Sequence, residues 1–232
     1  MTIITVATCN LNQWAMDFTT NYKNILKSCE VAKEKGATYR LGPELEICGY
    51  GCEDHFNEPD IISYSWEMLA KLLSNGASDG LLCDFGMPVL HHSVLYNFRA
   101  ICYNRQILLV RPKMALADDG NYREGRWFTR YRGNSVNAKS SNSSSDNSLE
   151  HVFLPESFTS NISYGTHPPQ SSSYAPFGFA ATTSTDGISI GSETCEELWT
   201  PQSPHITMSL SGVDIIGNGS GSHHELRKLN TR

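Results

Sequence analysis

Residues 2–7 are almost all apolar or β-branched, which predicts a buried strand. A polar stretch follows, and then Tyr22, Ile25, Leu26, Cys29 and Ala32 recur at helical intervals. That spacing gives an amphipathic helix one apolar face; Thr19 or Thr20 can cap its start and Gly36 can end it in a left-handed conformation. A short strand is expected within 38–48, closing at the Gly42-Pro43-Glu44 turn. A second helix is expected over about 60–74, with Ile62, Trp66, Leu69 and Leu73 on one face and Asn75-Gly76 as its stop. From residue 80 to 112 the pattern becomes strand-like over 81–89, 94–103 and 107–110, with joints at His91-His92-Ser93 and at Asn104-Arg105-Gln106, the second short enough for a hairpin. Strand-like segments return at 177–183, 187–190 and 213–216, and a helix is expected to begin near His223. Strand, helix, strand, helix and then a run of strands imply one layered α/β domain with a mixed sheet.

One segment breaks this pattern. Of the fifteen residues 134–148, seven are Ser and four are Asn. Such a stretch buries too little apolar surface to offset its ordering entropy, and the weakly patterned, Ser- and Pro-containing residues after it look similar. Residues 134–175 are therefore expected to form a disordered insertion. The 232 residues carry 18 basic and 24 acidic side chains, a net charge of −6, which argues against a nucleic-acid partner. No apolar run has the length of a membrane span, and the first residues lack the basic start and apolar stretch of a secretory signal. Seven scattered cysteines do not make a disulfide scaffold; reduced thiols and a cytoplasmic location are the expectation.

Three strand ends carry reactive side chains: Glu44 after Gly42-Pro43, Lys113 after Arg111-Pro112, and Cys195 within Gly191-Ser192-Glu193-Thr194-Cys195-Glu196-Glu197-Leu198-Trp199. Neighbouring strands of an α/β sheet deliver such side chains to one crevice. A thiol attacks only as thiolate, so it needs a base for its proton and a cation nearby, roles that a carboxylate and an ammonium can fill. Taken singly, each of the three reads as an ordinary buried thiol, turn carboxylate or surface cation. Other signals are weaker. Cys48 and Cys52 lack a second pair at zinc spacing, and His91-His92 reads as a strand joint rather than a ligand pair, so no metal is expected. The Gly217–Ser222 run lacks the lysine of a phosphate loop, and no Gly-x-Ser-x-Gly nucleophile elbow is present.

The wider context of these residues resembles the carbon-nitrogen hydrolase (nitrilase) superfamily, and within it the glutaminase domain of glutamine-dependent NAD synthetases. The likeness runs through Ala7-Thr8-Cys9-Asn10-Leu11-Asn12-Gln13-Trp14, the residues from Tyr39 to Cys52, Arg111-Pro112-Lys113-Met114-Ala115-Leu116-Ala117, Gly120-Asn121-Tyr122-Arg123-Glu124 with Arg126-Trp127-Phe128, Gly191 to Trp199, and Ser220-Gly221-Ser222-His223-His224. The resemblance implies a four-layer αββα sandwich, incomplete at its C-terminus, in a single partial domain over 1–232. It implies Glu44 as general base, Cys195 as the nucleophile that forms a γ-glutamyl thioester, and Lys113 as a stabiliser of the oxyanion. Glu124 would be a second acid beside the triad, and Tyr50, Tyr122 and Glu196 would bind glutamine, with Glu196 facing its α-ammonium. The hydrolytic half would need no cofactor. ATP and Mg would serve a separate synthetase domain, absent from this sequence, which takes the ammonia to amidate deamido-NAD. The resemblance also implies a homo-oligomer for the longer enzyme. A different small-amide hydrolase of the same fold, and a non-catalytic fragment, are the alternatives.

Overall fold

The computed structural model describes residues 3–133, 149–223 and 226. The first helix, α1 (Phe18–Glu34), follows Asp17, whose side chain accepts a hydrogen bond from the Thr20 N–H at 3.0 Å. The cap is thus two or three residues earlier than Thr19 or Thr20, while Gly36 does adopt a left-handed φ of 74°. α2 (Pro59–Ser74) starts on a proline at its first position, where the missing N–H costs nothing. Ile25, Cys29 and Ala32 of α1 and Trp66, Leu69, Ala70 and Leu73 of α2 turn inward into one apolar core.

Both helices cover one face of a seven-stranded sheet. Its strands are β1 (Val6–Thr8), β2 (Tyr39–Leu41), β3 (Leu82–His91), β4 (Val94–Tyr103), β5 (Gln106–Pro112), β6 (Glu150–Phe153) and β7 (Tyr174–Phe177), in the spatial order β1-β2-β3-β4-β5-β7-β6. β1, β2 and β3 run parallel, and β3, β4 and β5 run antiparallel. Each hairpin joint is a pair of residues at positive φ, His92-Ser93 and Asn104-Arg105, the geometry that matches strand twist in a two-residue turn. β1 differs from its expectation. It is three residues long, an edge strand, and Val6 is half exposed, because nothing among the described residues pairs with its outer side.

A second sheet has the order β10-β9-β8, with β8 (Thr182–Thr183), β9 (Ser189–Thr194) and β10 (Ile215–Gly219). It lies on the other face of the first sheet through polar contacts. Asp84 on β3 accepts hydrogen bonds from Tyr39 (3.2 Å), Arg99 (2.5 Å) and Ser192 (2.8 Å). The approach is close enough that a Cβ on Gly217 would sit 2.3 Å from the Tyr39 oxygen, so β10 needs glycine there. The short helix α4 (Pro204–Leu210) packs Met208 against Gly191 on the outside of β9. Helices, sheet, sheet and helix make an αββα layering.

The expected disordered insertion is ordered from residue 149 onward; its residues 134–148 lie outside the described ones. β6, the short helix α3 (Glu156–Thr159) and β7 fill that region. The physical reason is a few apolar anchors that the Ser-rich composition hides, Val152 and Ala175 on the two strands among them. Leu154 and Phe158 are buried, and the Phe158 ring meets Trp66 edge-on at 5.7 Å. The helix expected near His223 lies outside the described residues apart from His223 itself and Leu226.

Candidate active site

The structure brings all three reactive strand ends together. Glu44 sits in the turn after β2, and that turn rests directly on β3: a Cβ on Gly86 would lie 2.4 Å from the Leu45 nitrogen. Lys113 follows β5 and is fully buried. Its Nζ donates to Glu44 Oε1 at 2.6 Å and to both oxygens of Glu124 at 2.8 and 2.7 Å. Cys195 follows β9 at a φ of 45°, a left-handed conformation rare for a side chain with a Cβ, and opens the 3-10 turn Cys195–Trp199. The loop after β10 touches two corners of the cluster. Ser220 Oγ lies 3.2 Å from the Cys195 sulfur, and the Gly221 N–H donates to Glu44 Oε2 at 3.2 Å.

The electrostatics separate the roles of the two carboxyls. Burial alone would raise Glu44, but the Lys113 charge and hydrogen bonds from Lys113, Gly221 and Asn97 outweigh it and hold the carboxyl below its ordinary value. Glu124 is pushed up to about 7 by burial and by repulsion from Glu44, against the pull of Lys113 and Tyr50. Lys113 is raised: burial opposes its charge, and the two carboxyls more than restore it. The Cys195 thiol is pushed up to about 11 by burial and by Glu44, with Lys113 and the Ser220 hydrogen bond opposing. At neutral pH the resting site therefore holds a neutral thiol beside an ionised Glu44, not a thiolate.

A cavity of about 470 Å³, a size suited to a small ligand, opens against Glu44, with Cys9, Asn10, Gln13, Tyr50 and Asn218–Ser222 on its walls. Tyr50 donates to Glu124 Oε1 at 2.6 Å, Tyr122 stacks on His223 at 5.1 Å, and the rings of Tyr50 and Tyr122 meet edge-on at 6.1 Å. Both tyrosines thus stand beside the charged cluster. Glu196 does not join it. The side chain is half-buried and has no hydrogen-bond or ion-pair partner among the described residues.

The carbon-nitrogen hydrolase family model matches residues 5–231. The chain belongs to that family. It is 53% identical over 229 residues to the glutamine-dependent NAD(+) synthetase of Macaca fascicularis and 52% identical over the same length to that of Homo sapiens, covering 99% of this chain and 30% of each relative. The enzyme of the same name in Saccharomyces cerevisiae is 51% identical over 230 residues. The chain thus spans about 30% of the length of these curated relatives. Among solved structures, a glutamine-dependent NAD(+) synthetase from Cytophaga hutchinsonii superimposes with a TM-score of 0.74 at 23% identity, over 98% of this chain and 32% of that one. An amidase of the nitrilase superfamily from Nesterenkonia superimposes with a TM-score of 0.65 at 12% identity, covering 97% of this chain and 68% of the amidase. These neighbours share the nitrilase-like fold.

Within this carbon-nitrogen hydrolase site, sequence reasoning missed three supporting side chains. Asn97, in mid-β4, donates to Glu44 Oε1 at 2.7 Å. Arg111 and Glu197 form a fully buried pair, with the Arg111 Nη1 at 2.7 and 2.6 Å from the two carboxylate oxygens. Glu197 also accepts from the N–H of Met114, next to Lys113, and from the N–H of Thr194, next to Cys195, at 2.6 Å for the latter. One carboxylate therefore ties the strand end of the lysine to the strand end of the thiol. The one signal in the sequence is an Arg two residues before Lys113 and a Glu two residues after Cys195, charges of opposite sign beside two of the candidate residues.

Proposed function

We propose that this chain is the glutaminase part of a glutamine-dependent NAD synthetase, with Glu44, Lys113 and Cys195 as its catalytic residues. The observation that carries the reading is Lys113 bound between Glu44 and Glu124 at the mouth of the Cys195 turn, in a chain about half identical to enzymes of that name. In the first step Glu44 takes the proton of the Cys195 thiol as the sulfur attacks the side-chain amide carbon of glutamine. The carbonyl oxygen becomes an oxyanion, stabilised by the Lys113 ammonium and the backbone N–H that follows the nucleophile. Glu44 then gives its proton to the departing nitrogen, releasing ammonia and leaving a γ-glutamyl thioester. Water enters, Glu44 removes its proton, and collapse of the second tetrahedral adduct frees glutamate and returns the thiol.

The arrangement also suits the supporting roles. Glu124, with its pKa near neutrality, adjusts the charge around Lys113. Tyr50 walls the glutamine pocket with Tyr122 packed beside it, and the Glu196 carboxylate, without a partner among the described residues, suits the substrate α-ammonium. Hydrolysis by these groups uses no cofactor or metal. Ammonia would pass to a synthetase part that amidates deamido-NAD with ATP and Mg, in a homo-oligomeric enzyme. The described loop after β10 does not fit a phosphate, because the N–H groups of Gly221 and Ser222 are already given to Glu44 and Ser220.

The test is release of glutamate and ammonia from glutamine by the purified chain. The expected result is turnover of glutamine well above that of acetamide or propionamide, lost on the order of 10⁴-fold or more in Cys195→Ala. Faster turnover of the small amides would replace this reading with a general amidase, and equal rates for Cys195→Ala would remove the thiol from the mechanism.

A further inference from the structure

Away from the Glu44 cluster, the turn between β3 and β4 meets the outermost strand β6 through three side chains of a different character. His91 is buried, and its Nε2 lies 2.9 Å from Glu150 Oε2. His92 follows at φ 48°, which swings its ring back over His91, with the ring centroids 4.0 Å apart. One nitrogen from each imidazole and one oxygen of Glu150 all lie within 4.8 Å of one another. From these juxtaposed donors we propose that His91, His92 and Glu150 form a binding site for a single divalent transition-metal cation of the zinc class.

The donor set decides the class of ion. Two imidazoles and one carboxylate suit Zn²⁺ or Co²⁺, whereas Mg²⁺ and Ca²⁺ call for oxygen shells. Tetrahedral zinc with bonds near 2.0–2.1 Å holds its ligand atoms roughly 3.3 Å apart. The His91–Glu150 pair must open by a few tenths of an ångström, and His92, which is exposed, has the freedom to close the remainder. The site also has the outer support that such ligands use. Glu150 Oε1 accepts from Tyr131 at 3.2 Å, fixing the carboxylate, and the His91 ring lies against Phe177 at 4.2 Å, fixing the imidazole. Three protein ligands leave a fourth position for water. The ion would pin the edge strand β6 to the β3–β4 turn, and its binding energy would appear as stability of that edge.

The test uses the whole chain, with Zn²⁺ and Co²⁺ as probes. One equivalent of Zn²⁺ is expected to bind, and Co²⁺ is expected to give the intense visible bands of a four-coordinate site without the near-ultraviolet bands of thiolate ligation. A hundredfold excess of Zn²⁺ over its Kd should raise Tm by roughly 5–10 °C. His92→Asn keeps a residue that tolerates the left-handed turn and removes one ligand; Glu150→Gln removes another. Each should weaken metal binding at least about tenfold, while His92→Asn leaves glutamine hydrolysis unchanged. The proposal is overturned if His92→Asn binds Zn²⁺ as tightly as the parent, if the Co²⁺ spectrum shows thiolate ligation, or if no equivalent is retained at micromolar metal. Because the readout is metal affinity, its failure would leave the glutaminase reading untouched.

Discussion

At the scale of single residues, the site works by dividing charge. Lys113 sits between two carboxyls, and the three buried groups sum to one excess negative charge when both are ionised; burial first, and repulsion from Glu44 second, push Glu124 up to about 7. The consequence for stability has a definite sign. A carboxyl whose folded pKa lies above its unfolded value holds more protons in the native state, so stability falls as pH rises through the window from about 4.5 to 7. Glu44 acts oppositely: its lowered pKa adds stability at neutral pH that is lost as pH falls below the ordinary carboxylate range. Glu124→Gln should therefore lose less stability than the parent between pH 5 and pH 7.5, as read from urea midpoints. Parallel pH curves for the two proteins would contradict the charge division. At this scale the pattern marked Glu44, Lys113 and Cys195 only as side chains at strand ends, each ordinary when taken singly, and it was the family resemblance that grouped them. Asn97 was not legible, since an asparagine inside a strand pattern shows only that one position is polar, not that it faces a buried carboxylate 53 residues away.

Among the elements, the decisive feature is how strand ends are locked to one another. Glu197 joins Arg111, the backbone beside Lys113 and the backbone beside Cys195, so the left-handed turn that presents the sulfur depends on a buried ion pair. Removing one partner strands the other charge in the interior, so Arg111→Met and Glu197→Gln should each cost roughly 3–5 kcal/mol of stability by denaturant unfolding. The double variant should cost clearly less than the sum; strict additivity would mean that the two side chains do not act together. The Glu44 turn depends instead on the absence of a side chain. Gly86→Ala would drive a methyl into the Leu45 backbone, and displacing Glu44 by about an ångström should lower glutamine turnover on the order of a hundredfold. An unchanged rate would show that the turn is free to shift. Element boundaries were legible where a run is dense in apolar and aromatic residues between turn signals, as in β4, observed at 94–103 as the pattern predicts. They failed where packing overrules composition: Leu154 and Phe158 are two apolar residues in a polar stretch, yet they land on the α2 face and order it.

For the whole molecule, the layering rests on two unlike interfaces. Helices meet the large sheet through an apolar core that periodicity reveals. The two sheets meet through Asp84, Arg99, Tyr39 and Ser192, a polar network that hydrophobic patterning cannot foresee, so the αββα arrangement came from the family resemblance and not from the pattern. Because the family match accounts for residues 5–231, these 232 residues supplied with glutamine, ATP, Mg²⁺ and deamido-NAD should release ammonia and form no NAD. Detection of NAD by coupled absorbance would contradict that division of labour. The central claim is narrower: one thiol of seven is made reactive toward glutamine by the carboxylate beside it. Its most direct test is labelling with a diazoketone analogue of glutamine, followed by mass mapping of every cysteine-containing peptide. The account predicts modification of Cys195 alone, slowed at least about a hundredfold in Glu44→Gln. Label on Cys9 or any other cysteine instead, or an unchanged rate in Glu44→Gln, would contradict it.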